Sequence, residues 1–275
     1  GLNGTALAAD TQIFQRPETL EAFATAGLDL NRLAPIVHAF QQAPADVAIL
    51  FSDASKILDD GDPHLLSAWY AYEGCSFAGY NVRFITEDQV VAGVLERVKV
   101  LVLPQTPAVR DDTFEKLSAY ADAGGTIARV GNPIPYNQRG HSRHDVIRNT
   151  GNTVLVRGMN LPTEYLHAMD MAIVLGSLPR ISRPVNASNY PLEGVKTRFV
   201  EYDGTPYLYV LNLRKEPVVC HLAGPYQSGR DLVRDRAVDF PTELVPLDPM
   251  LLRMDTISTH VEVDQPGIDD EADEE

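Results

Sequence analysis

The stretch Asp46-Val-Ala-Ile-Leu-Phe51 opens the part of the chain whose reading decides the fold, and that part closes at Gly131. Three more apolar runs follow it: Asn81-Val-Arg-Phe-Ile-Thr86, Lys99-Val-Leu-Val-Leu103 and Gly125-Thr-Ile-Ala-Arg-Val130. Helix-length amphipathic segments separate them, over Leu65 to Phe77, Asp88 to Val94 and Asp111 to Ala123. Short apolar strands alternating with such helices predict β-α-β units, and so a parallel sheet with helices on both faces. Asp62 and Pro63 suit the N-cap and first position of the helix carrying Leu65, Leu66, Trp69, Tyr70 and Tyr72. Asp111 or Asp112 suits the cap of the next, whose stripe is Phe114, Leu117, Tyr120 and Ala121. Gly124-Gly125 then turns the chain into the fourth strand.

Outward from this unit, Arg16-Pro17-Glu18 starts a helix with Leu20, Phe23, Ala24 and Leu28 on one face, and Gly27 is expected to weaken or end it. A second segment carries Leu33, Ile36, Val37 and Phe40. Neither has a strand of its own, so residues 1–45 read as the end of a larger unit or as a cover for the sheet. On the other side, residues 132–151 are polar and rich in Gly, Pro and Asn, and are expected to form a long loop. Asn152 to Arg157 predicts a fifth strand and Pro162 to Leu175 a helix, which completes an α/β domain over 46–193. From Gly194 the apolar period becomes two. Val195 to Tyr202, the turn Asp203-Gly204 and Pro206 to Leu213 form a β-hairpin signal. Pro217 to Leu222 and Leu247 to Met254 add strands, giving a small antiparallel β domain over 194–257. An acidic tail over 258–275 is expected to be disordered.

A chain of 275 residues with 44% apolar and 22% charged residues is long enough for two domains. No apolar run approaches the ~18 residues that a membrane helix needs. No signal peptide is visible, and Gly1 in place of Met suggests a tag remnant, a processed chain or a fragment. The net charge is −15, and eight of the acids lie beyond Val261; without them the balance is −7. Neither part offers the basic surface that nucleic acid requires. Cys75 and Cys220 fall in different predicted domains and read as free thiols in a reducing, cytoplasmic setting. The sequons at Asn3 and Asn186 then read as chance matches.

Few residues suggest chemistry. Cys75, in Gly74-Cys75-Ser76, lies at a helix end before a strand, whereas a nucleophile elbow follows one. His141, His144 and Asp145 could begin a metal site, but they lie in a polar loop with no third ligand in view. No Gly-rich phosphate loop follows the first strand. In open parallel sheets ligands bind at the carboxyl ends of the strands. That places Ser52, Asp53, Gln105, Thr106 and Asn132 around any crevice, with a solvated rim as the plainer alternative. No cofactor and no metal are expected.

The runs Leu28-Asp-Leu-Asn-Arg-Leu33, Val47-Ala-Ile-Leu-Phe-Ser52, Val100-Leu-Val-Leu-Pro104 and Tyr120-Ala-Asp-Ala-Gly-Gly-Thr126 resemble the region after the catalytic barrel in glycoside hydrolase family 42 β-galactosidases. Val200 to Leu213 resembles their small C-terminal β domain. The resemblance implies a flavodoxin-like fold, related to class I glutamine amidotransferases, that serves in trimerisation. It implies no complete active site in this chain, because the two catalytic glutamates of that family lie in the barrel. The expected partners are copies of the chain itself, an upstream barrel if the chain is a fragment, and the parent's carbohydrate substrate, with no nucleic acid and no membrane. A free-standing amidotransferase-like domain that binds a small ligand is the alternative, although the amidotransferase Cys is missing. A hydrolase using the 132–151 loop is a third reading.

Overall fold

The computed structural model describes residues 16–58, 63–131, 134–156, 161–179 and 181–255. The expected acidic tail, the sequon at Asn3, Asp62 and Asn132 lie outside them. Two helices come first, α1 (Pro17–Arg32) and α2 (Ala34–Gln42). The α/β unit follows as β1 (Val47–Phe51), α3 (Asp53–Leu58), α4 (Pro63–Phe77), β2 (Val82–Thr86), α5 (Glu87–Val91), β3 (Val100–Leu103), β4 (Ala108–Val109), α6 (Asp111–Asp122), β5 (Thr126–Val130), β6 (Tyr136–Asn137), β7 (Thr153–Val156) and α7 (Pro162–Leu175). Then come β8 (Arg183–Val185), β9 (Val195–Tyr202), β10 (Thr205–Asn212), β11 (Val218–Ala223), β12 (Ser228–Asp231), β13 (Arg236–Asp239), β14 (Thr242–Leu244) and β15 (Met250–Met254).

The parallel sheet has the order β2-β1-β3-β5-β7, which is the flavodoxin-like winding. Its side chains alternate between two cores. Val47, Ile49, Val100, Val102 and Ala128 face α4 and α7, where they meet Tyr165, Leu166 and Met169. Ala48, Leu50, Leu101, Leu103 and Ile127 face the other way, toward Val90, Phe114 and Leu117. With both faces covered, the central strands β1 and β3 have no solvent side, and this is why they read as unbroken apolar runs. Gly74 lets α4 and α7 touch: a Cβ there would lie 2.1 Å from the Pro162 carbonyl oxygen.

The antiparallel strands form a five-stranded sheet, β13-β12-β15-β10-β9, and a three-stranded one, β14-β11-β8. Leu208, Val210, Cys220, Leu222 and Leu252 fill the space between them. The β9–β10 turn places Asp203 at φ 50° and Gly204 at φ 67°, the pair of positive angles that a tight hairpin turn needs. The strand β8, at 183–185, pairs with β11 although it precedes residue 194. Leu33 and Phe40 pack with Val200 and Leu251, so α2 and the junction before it cover the five-stranded antiparallel sheet.

Several local expectations are corrected. The helix α1 runs through Gly27 to Arg32. Arg110, not an aspartate, occupies the N-cap position of α6. The segment directly after β1 forms a short helix, α3, where no helix is expected. The helix over 88–94 is instead α5, held by a Thr86–Gln89 capping box, and then a 3₁₀ turn over Val94–Arg97. The 132–151 segment is not wholly irregular, because β6 pairs with β4.

Candidate functional site

The carboxyl ends of β1 and β3 meet where the strand order reverses, the place where open α/β sheets bind ligands. In this chain the protein's own polar side chains occupy that point. Ser52 ends β1, and its hydroxyl accepts the Ser55 N–H at 3.0 Å, closing the first turn of α3. The Ser52 N–H donates to His64 Nε2 at 3.1 Å, and His64 Nδ1 lies 2.7 Å from the Gln105 carbonyl oxygen. A backbone N–H can only donate, so Nε2 is the acceptor and Nδ1 carries the proton. The Gln105 N–H donates to Ser67 Oγ at 2.7 Å, and Ser67 Oγ lies 2.7 Å from the Tyr165 hydroxyl. Burial holds that hydroxyl well above the ordinary phenol range.

A second branch runs through Glu87. Its carboxylate accepts from Ser52 Oγ at 2.7 Å and from the Arg110 N–H at 2.7 Å. Ser55 Oγ donates to the Ala108 carbonyl at 2.6 Å and accepts the Ala108 N–H at 3.1 Å. Ser52 Oγ lies 2.8 Å from the same Ala108 carbonyl, so its one proton is shared between that carbonyl and Glu87. Ser52, Ser55, His64 and Ser67 are fully buried. A nucleophile needs its hydroxyl on a base. The Ser52 hydroxyl does lie on the Glu87 carboxylate, but it is fully buried, and the Ser52 backbone, not its hydroxyl, meets His64.

The five residues expected around this crevice fall in different places. Ser52 is inside the network. Asp53 is exposed at the start of α3, and Gln105 contributes its backbone while its side chain is exposed. Thr106 is buried and donates to the Pro104 carbonyl at 2.6 Å. A cleft of about 210 Å³ does open beside the network, lined by Asp53, Thr86, Glu87, Asp88, Arg110 and Gln138. Arg110 crosses it to Asp88 at 2.5 Å and Asp112 at 3.2 Å. The remaining members, Ser55, His64, Ser67, Glu87 and Tyr165, were not legible as site residues. The one available signal was His64 and Ser67, polar residues three apart on a largely apolar helix.

The other candidates are inert or dispersed. Burial pushes the Cys75 and Cys220 thiols up to about 12, far from the range of a reactive thiolate. Both cysteines are free. His141 and His144 are exposed, and among the described residues no three His, Cys, Asp or Glu side chains gather as metal ligands would. No described helix is long and apolar enough to cross a membrane.

Known proteins carry the same architecture. The exo-carrageenase of glycoside hydrolase family 42 from Bacteroides ovatus matches at a TM-score of 0.65 and 19% identity, over 82% of this chain and 31% of that one. The chain has the fold of part of a family 42 glycoside hydrolase. The β-galactosidases of Bacillus circulans sp. alkalophilus and Rahnella sp. R3 each match at a TM-score of 0.61 over 86% of this chain, with 14% and 16% identity. They are covered over 45% and 44% of their own lengths, so this family 42-like chain spans less than half of each. Neither a family model nor a curated protein matches the sequence.

Proposed function

We propose that this chain is the non-catalytic assembly region, with its C-terminal β part, of a family 42-like glycoside hydrolase acting on galactosides or related sugars. The observation that carries the reading is the fold match, which takes in most of this chain and under half of the enzymes it resembles. The strand-end network supports it, because each buried hydroxyl there is already bonded within the protein. In this reading the catalytic carboxylates lie on a barrel outside these residues, and the α/β unit holds copies of the enzyme together as a trimer.

The test is the native mass in the source cells, detected with an antibody to the chain. A protein more than twice the 30.2 kDa of this chain, with galactosidase activity, is expected. The chain alone is expected to self-associate and to turn over no nitrophenyl galactoside. A monomer of 30.2 kDa in the cell would overturn the reading and favour a small-ligand-binding domain. Turnover by the chain alone, lost on mutating His144 or Asp145, would favour the loop hydrolase.

A further inference from the structure

A row of aromatic rings runs along the free edge of the parallel sheet and ends in a lysine ammonium group on each side. The strand β2 is terminal in that sheet, and its Phe84 is 44% exposed. Phe84 stacks on Tyr72 of α4, with centroids 5.6 Å apart and planes 24° apart. Phe51, at the end of β1, meets Phe84 edge-on at 6.5 Å. Lys196 of β9 lies over the Tyr72 ring at 4.6 Å and donates to its hydroxyl at 2.8 Å. At the other end Lys56 of α3 lies over Phe51 at 5.8 Å. Trp69, 61% exposed, stands one turn before Tyr72 on α4 and donates its indole N–H to Glu73 at 2.9 Å.

Neither lysine reaches a carboxylate within ion-pair distance among the described residues. The chain holds 38 acids against 23 lysines and arginines, so a surface cation without an acid runs against its composition. Glu73, the acid on the same helix face, bonds the Trp69 indole instead. Exposed ring faces take up flat C–H surfaces, and ammonium groups take up acid groups. A sugar chain with acidic substituents presents both. A second copy laid against the same edge would set lysine against lysine in either direction, a like-charge contact that costs stability.

We propose that this edge binds an anionic saccharide bearing sulfate or carboxylate groups. Phe84 and Trp69 stack on its sugar rings, and Lys56 and Lys196 hold its acid groups. The choice of a saccharide rests on the glycosidase-related reading above, but its test needs no turnover. A failed titration would leave that reading standing, and a small native mass would sink that reading without touching the titration.

The full chain is titrated calorimetrically with a sulfated galactan tetrasaccharide, with its uncharged counterpart and with inorganic sulfate. The sulfated tetrasaccharide is expected to bind at least about tenfold more tightly than the uncharged one, two charge contacts of up to about fivefold each being available. Lys196→Met and Lys56→Met are each expected to weaken it about fivefold, and added salt to weaken it further. Phe84→Ala is expected to weaken it about tenfold through lost stacking. Lys116→Met, at an exposed position of α6, is expected to change nothing. Lys56 is exposed, so its variant keeps the test valid if Phe84→Ala unfolds. Equal affinity for both tetrasaccharides, or no binding of either, would overturn the proposal. So would inorganic sulfate binding as tightly as the sulfated sugar, or a Phe84→Ala variant whose only effect is to turn an oligomer into monomers.

Discussion

His64 shows how much one buried residue can hold in this protein. It accepts the Ser52 N–H and meets the Gln105 carbonyl, joining the ends of β1 and β3 through the helix between them. Replacing it with Ala leaves both backbone groups buried without partners, at about 1–3 kcal/mol each. His64→Ala is therefore expected to lose about 2–5 kcal/mol in a denaturant melt, and a loss under 1 kcal/mol would mean the network contributes little. The cysteines give a pH-dependent expectation. Their thiols are raised from 9.0 to about 12 by burial, so the folded state favours the neutral form. That stability is complete below pH 9 and is lost as pH rises toward 12. Cys75→Ala is expected to flatten the fall in melting temperature between pH 9 and 11; an unchanged slope would contradict the assignment.

At the scale of elements, α4 and α7 approach through Gly74, where a side chain would run into the Pro162 carbonyl. Gly74→Ala is expected to force the helices apart and cost about 1–3 kcal/mol, the usual range for overpacking, as read from the urea midpoint. The helix α1 lies at the other extreme. It has no buried residue, and Leu20, Phe23, Leu28 and Leu30 are all exposed. A helix held by so few apolar contacts opens readily. Its amides are expected to exchange faster than those of α4 or α7, and equal protection in the isolated chain would show that something covers its apolar face.

For the whole molecule, the strand β8 raises the question of where the β part begins. It completes the three-stranded sheet by pairing Arg183–Val185 with β11, while the change of sequence period comes only at Gly194. A fragment over 181–255 is expected to give a dispersed amide spectrum and one over 194–255 a collapsed one. Equal dispersion in both would show that β8 is dispensable. The α/β and β parts also touch, since Lys196 of β9 bonds Tyr72 of α4, and Arg198 of β9 ties the β part to α2 through the Phe40 carbonyl. The proposed assembly into a family 42-like enzyme belongs to the level above, and the native mass tests it.

The strands from Asp46 to Gly131, the hairpin at Asp203-Gly204 and the helix from Pro162 were determined by the sequence alone. Burial on two faces, a turn that needs positive φ and a proline at a first turn each leave a local mark on composition. The phrases around those strands also carried the family 42 resemblance. Tertiary structure decided that α2 covers the antiparallel sheet, that β8 belongs with β11, and that the strand-end crevice is filled. Those outcomes join residues far apart in the chain, such as Ser67 to Tyr165 and Glu87 to Arg110. A serine or histidine that will be satisfied by a distant carbonyl looks, in sequence, the same as one left free for chemistry.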